Sequence, residues 1–199
     1  MIVEYGFPSD VWEIIPKSFP TLDGLTEAAW IERLVSAYVV TVGEAGGQTR
    51  ELVPALARGV RQQVLPDDVA TVLFRPTSLP VTAVVHVQLF DAQGADTSAY
   101  IATGMIPDEP MAIPPVITPM ATEHLGEGSK AAFIGVEPFP DGTAKGGISY
   151  VFATSGHLVN IQTSQARLDV IGILEAYLDE FVQTVRLVPG EIDGVEQIA

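Results

Sequence analysis

The stretch 144–188, AKGGISYVFATSGHLVNIQTSQARLDVIGILEAYLDEFVQTVRLV, changes period once along its length. Over 148–154, Ile148, Tyr150 and Phe152 alternate with Ser149, Val151 and Ala153, the two-residue period of a strand. Ser155-Gly156 predicts a two-residue hairpin turn, because glycine takes positive φ without steric penalty. Period 2 resumes at 157–163. His157, Val159, Ile161 and Thr163 share one face, and Leu158, Asn160 and Gln162 the other. From about Ala166 the period becomes 3.6. Leu168, Ile171, Leu174, Leu178, Phe181, Val182 and Val185 then form one stripe, while Asp169, Glu175, Asp179 and Glu180 lie mostly off it. A helix with such a stripe needs a surface to cover, and the hairpin just before it is the economical choice.

Upstream, 131–139 is a further strand, turned into Ile148 through Asp141-Gly142 and Gly146-Gly147, which completes a three-stranded meander. Residues 69–74, 81–90 and 100–106 also read as strands. In 81–90, Val81, Ala83, Val85, Val87 and Leu89 take one face; Thr82, Val84, His86, Gln88 and Phe90 take the other. Near the N-terminus, Pro8, Pro16 and Pro20 prevent a long helix, and Phe7, Trp12, Ile14, Ile15 and Phe19 suggest an ordered arm or short edge strand. Thr26 is placed to cap a helix running to about Val42, with Trp30, Ile31, Leu34, Val35 and Tyr38 inward. Thr49 is placed to cap a second helix, to about Val64, with Leu52, Val53, Leu56, Val60 and Val64 inward and Pro54 tolerated near its first turn. Arg50, Arg58 and Arg61 read as its solvated face.

Helices, then a run of strands, then a helix predict a single α+β domain over residues 1–199, with a Pro-rich arm at 1–25 and a fraying acidic tail at 189–199. Its mainly antiparallel sheet of about five to six strands is covered by two N-terminal helices and one C-terminal helix. The element order is similar to that of the PsbP-like α/β/α sandwiches. This resemblance is one of topology, carried by no residue motif, and leaves function open.

Ten basic against 25 acidic residues give a net charge of −15, which disfavours nucleic acid and anionic membranes and favours a basic partner through steering. No apolar run approaches the ~18 residues of a membrane span. There is no cysteine, hence no disulfide, thiol catalysis or thiolate metal site. The composition fits the cytoplasm and does not by itself bar export.

No motif carries chemistry. His86 lies mid-strand without a carboxylate nearby in sequence. His124, flanked by Glu123 and Glu127, would share one side of a helix with a glutamate and could ligate a metal, but further ligands are missing. Ser155-Gly156-His157 sits between two strands, not in the Gly-x-Ser-x-Gly elbow of a hydrolase. Gly126-Glu-Gly-Ser-Lys130 lacks the spacing of a phosphate loop, and Asp67-Asp68 reads as a turn or cap. The expectation is therefore no metal and no cofactor.

One stretch points to a partner. Prolines at 107, 110, 114, 115 and 119 stiffen a segment holding Met105, Met111 and Met120, three of the four methionines, with Ile106, Ile113 and Ile117. Between Arg75 and Lys130 there is no Lys or Arg, while Asp91, Asp96, Asp108, Glu109, Glu123 and Glu127 lie there. Pre-ordered backbone lowers the entropy cost of binding, and methionine adapts to irregular apolar surfaces. Asp108, Glu109, Met111 and Ile113 are the expected contact residues of a non-catalytic binding protein, an accessory or immunity-type factor, against a basic protein. A plain inter-strand connection packed on its own core is the competing reading of the segment. An enzyme or small-molecule carrier with a site assembled from residues distant in sequence is the alternative function.

Overall fold

The computed structural model describes residues 1–42 and 48–190. In chain order the elements are β1 (Ile2–Glu4), β2 (Trp12–Ile14), α1 (Glu27–Val42), α2 (Gln48–Arg61), β3 (Asp68–Phe74), β4 (Ala83–Asp91), α3 (Ser98–Thr103), β5 (Val116–Thr122), β6 (Gly126–Ile134), β7 (Lys145–Thr154), β8 (His157–Thr163), β9 (Ala166–Arg167), α4 (Leu168–Thr184) and β10 (Arg186–Val188). The main sheet is antiparallel, in the order β2-β3-β4-β8-β7-β6-β5, with β9 as an eighth strand on β7. The terminal strands β1 and β10 pair separately. Among the described residues no helix is long and apolar enough to cross a membrane.

The meander 6-7-8 forms as its alternation requires. The β7–β8 turn places Ser155 at φ 52° and Gly156 at φ 75°, the double positive-φ turn that matches strand twist. The helical stripe packs where the matching periods place it. Ile171, Leu174, Leu178, Phe181 and Val182 are buried against Val72, Phe74, Val85, Val87, Ile148, Tyr150, Phe152, Val159 and Ile161. Leu168 departs from the stripe and is 36% exposed at its head. The arm is clipped to the same layer: Trp12 packs at a tilt against Phe74 at 5.1 Å and against Phe181 at 5.2 Å between ring centroids.

Neighbouring residues in a strand point to opposite faces, so Leu73 and Val84 meet the other layer. There α1 and α2 supply Trp30, Leu34, Val35, Val53, Ala57 and Val60. Thr26 caps α1 by accepting from the Ala29 N–H at 3.2 Å. The expected start of α2 needs correction. The helix begins at Gln48, so Thr49 lies inside it and Pro54 sits beyond the first turn. Leu52 is 65% exposed rather than inward, and Ala57 takes the buried position.

Three further expectations are corrected. The main sheet has eight strands, not five or six, because β2 and β5 add edges and β9 adds a short flank. A fourth helix, α3, covers much of 100–106, which was expected to be a strand. It ends at Gly104, φ 68°, whose missing Cβ lets the turn lie directly on Ala131. The strand expected at 131–139 begins earlier and stops at Ile134. The tail beyond 190 lies outside the described residues.

Candidate functional site

The expected contact residues lie together on one exposed edge. Asp108 and Glu109 are exposed, Met111 is half-buried, and Ile113 is 53% exposed. The backbone under them is tied down: Ala112 N–H donates to Ile134 O at 2.8 Å, Val136 N–H to Pro110 O at 3.1 Å, and Met111 bridges Gly135. The segment is thus an inter-strand connection by its backbone, but its side chains face solvent. Pro119 is tolerated in β5 because this is the edge strand, and a residue without an N–H there blunts strand addition.

Exposed Ile113, Val116, Ile117 and Val136 are four of the nine large apolar side chains that stay exposed among the described residues. Val116 and Ile117 are neighbours in β5 and so point to opposite faces of this edge. The carboxylates of Asp108, Glu109 and Glu137 are exposed as well. Lys130, paired with Thr118 on the neighbouring strand, shares the face of Val116 and reaches toward α4. There it is held at 2.7 Å by Glu175 and 2.8 Å by Asp179. Burial alone would lower the Lys130 pKa, but these carboxylates outweigh it and raise the value. The Lys145 methylenes lie close to Gly135, next to Val136.

A second constellation lies inside the α1/α2 side of the sheet and was not legible in sequence. His86 is 3% exposed and does have a carboxylate partner: its Nδ1 lies 2.7 Å from Asp68 Oδ2. Its Nε2 lies 2.8 Å from Ser164 Oγ. The cause is a bulge in β3. Asp68 pairs with Gln88 while Ala70 pairs with Val87, a register shift that turns Asp68 onto the face carrying Thr71 and His86. Asp68 also accepts from the Leu65 N–H at 2.9 Å, Thr71 Oγ1 at 2.7 Å and Gln88 Nε2 at 3.2 Å. Burial pushes its carboxyl pKa up. The bonds from His86, Leu65 and Thr71 prevail and hold it below the usual carboxylate value. Gln88 Oε1 continues the polar array by accepting from Asn160 Nδ2 at 3.0 Å.

Ser164 ends this chain of bonds at a pocket of about 110 Å³ between α2 and the β4–β8 end of the sheet. Leu56, Val60, Leu73 and Val84 form its apolar side; Gln63, Thr82 and Gln165 add polar groups.

The other motifs resolve plainly. Glu123 and His124 are exposed in the β5–β6 turn, not on a helix, so the expected helical His–Glu spacing does not arise. Among the described residues no cluster of three or more His, Asp or Glu could hold a metal ion. His157 Nδ1 contacts the Ser155 carbonyl at 2.9 Å, not its hydroxyl. Residues 126–130 belong to β6. No protein-family model matches this chain, and no curated protein is significantly similar to it.

Proposed function

We propose that the chain is a binding protein whose partner is another protein, basic and partly apolar, docked on Asp108, Glu109, Met111 and Ile113 and on the neighbouring edge strand. The observation that carries this reading is the exposure of Ile113, Val116, Ile117 and Val136 on and beside the edge strand, with Asp108, Glu109 and Glu137 exposed as well. Opposite charge would steer the encounter, and the apolar side chains would govern how long the complex lasts. Backbone bonds from Ala112 and Val136 support the reading further, because a segment already ordered loses little entropy on docking.

The test is affinity capture from the source cells followed by binding kinetics with each captured protein. Asp108→Lys with Glu109→Lys should slow association about tenfold or more and weaken its dependence on salt. Met111→Ala or Ile113→Asp should instead shorten the residence time. Captured proteins that bind all these variants as tightly as the parent would refute the assignment.

A further inference from the structure

We propose that Asp68, His86 and Ser164 form an acyl-transfer triad, with Ser164 Oγ as nucleophile toward esters of short aliphatic acids. The inference is independent of the docking surface and goes beyond it. A Ser–His–carboxylate triad is recognised by geometry and roles, not by order in the chain. The nucleophile must lie within about 2.6–3.2 Å of its base, and the base must be oriented by a third group. Here the two links are 2.8 Å and 2.7 Å.

The protonation pattern follows from the partners. Asp68 is held ionised and already accepts from Leu65, Thr71 and Gln88, so it accepts from His86 as well, and Nδ1 carries the proton. When the imidazole is neutral with its proton on Nδ1, Nε2 offers a lone pair to which Ser164 Oγ–H donates. This is the tautomer a general base needs. The Ser164 N–H, donated to Val84 O at 2.8 Å, fixes the backbone that carries the hydroxyl.

The three groups also differ in access in the required way. Asp68 and His86 are buried, whereas Ser164 is half-buried and lines the pocket. A cavity of about 150 Å³ holds benzene, so one of about 110 Å³ takes an acyl chain of only a few carbons. The apolar wall of Leu56, Val60, Leu73 and Val84 would receive that chain. Gln63, Thr82 and the second N–H of Gln165, whose first goes to Glu109 Oε2 at 2.7 Å, are the side-chain donors lining the pocket for a developing oxyanion.

In the reaction, the Ser164 proton moves to His86 Nε2 as Oγ bonds to the ester carbonyl carbon. The carbon–alkoxide bond breaks, and His86 returns the proton to the departing alcohol. Water then attacks the acyl-serine and gives its proton to His86. Ser164 recovers that proton as the carboxylic acid leaves. The net change is ester plus water to acid plus alcohol.

The test treats the full chain with methanesulfonyl fluoride, a probe small enough for the pocket. Peptide mass spectrometry follows sulfonylation of each serine, during which a serine O–S bond forms and fluoride leaves. Exposed Ser155, in the β7–β8 turn, is the control within the same molecule. Ser164 should react about 10²-fold faster or more, the contribution expected of a positioned base. The His86→Gln variant should lose that advantage, and Ser164→Ala should lose p-nitrophenyl acetate hydrolysis. Sulfonylation of Ser164 in the parent protein no faster than of Ser155 would overturn the proposal, whatever the variants do, and would make the array purely structural. Ester hydrolysis undiminished in Ser164→Ala would overturn it equally.

Discussion

Replacing Asp68 by asparagine changes one oxygen to an amide nitrogen and tests the buried array directly. Four donors converge on this carboxylate: the Leu65 N–H, Thr71 Oγ1 and His86 Nδ1 on Oδ2, and Gln88 Nε2 on Oδ1. An asparagine has one acceptor oxygen and an NH₂ that only donates. With its oxygen in the Oδ2 position, the NH₂ faces the Gln88 amide. Flipping Gln88 would rescue that contact but take its Oε1 from Asn160, 3.0 Å away. With the NH₂ in the Oδ2 position, three donors face it. Either way at least one buried donor is unsatisfied, at about 1–3 kcal/mol. The bonds that remain lose the charge that roughly doubles their strength. The sum is about 2–4 kcal/mol, or roughly 5–15 °C in melting temperature for a chain of this size.

Urea unfolding across pH sharpens the test. Asp68 titrates lower folded than unfolded. Its contribution is therefore complete above the unfolded value, about 3.9, and is lost as pH falls through the folded one. The gap between parent and variant should be full at pH 7 and narrow below about pH 4. A gap under about 0.5 kcal/mol at pH 7, or one that does not change with acid, would refute the account of how this carboxylate is held.

The remaining predictions concern packing and metal. Leu178, fully buried, should lose about 2–5 kcal/mol on change to alanine, while Leu168, 36% exposed at the head of the same stripe, should lose under about 1 kcal/mol. Equal losses in denaturant unfolding would show the helix rotated from its assigned face. Melting temperature should be unchanged by EDTA in protein purified without added metal. Stoichiometric transition metal by elemental analysis, lost together with stability on chelation, would contradict this.

Local periodicity determined what was legible in the sequence. The meander from β6 to β8 and the α4 stripe each repeat over several residues, and Tyr150, Val159, Leu174 and Leu178 meet in the core as those repeats require. The solvent-facing character of Asp108, Glu109 and Ile113 was also legible, because prolines keep 107–120 out of the sheet interior. Short elements were not. Residues 98–103 make fewer than two helical turns, too few to distinguish period 3.6 from period 2, and contact with Ala131 through Gly104 settled the matter. The Asp68–His86–Ser164 array is the extreme case. Its members are 18 and 78 residues apart and are joined by strand pairing and one bulge. A one-residue shift of register moves a side chain to the opposite face of a sheet, and no local pattern encodes that shift. The sequence by itself therefore determined the β6–β8 meander and the apolar face of α4. Only the tertiary structure decided which polar groups those pairings bring within hydrogen-bond distance.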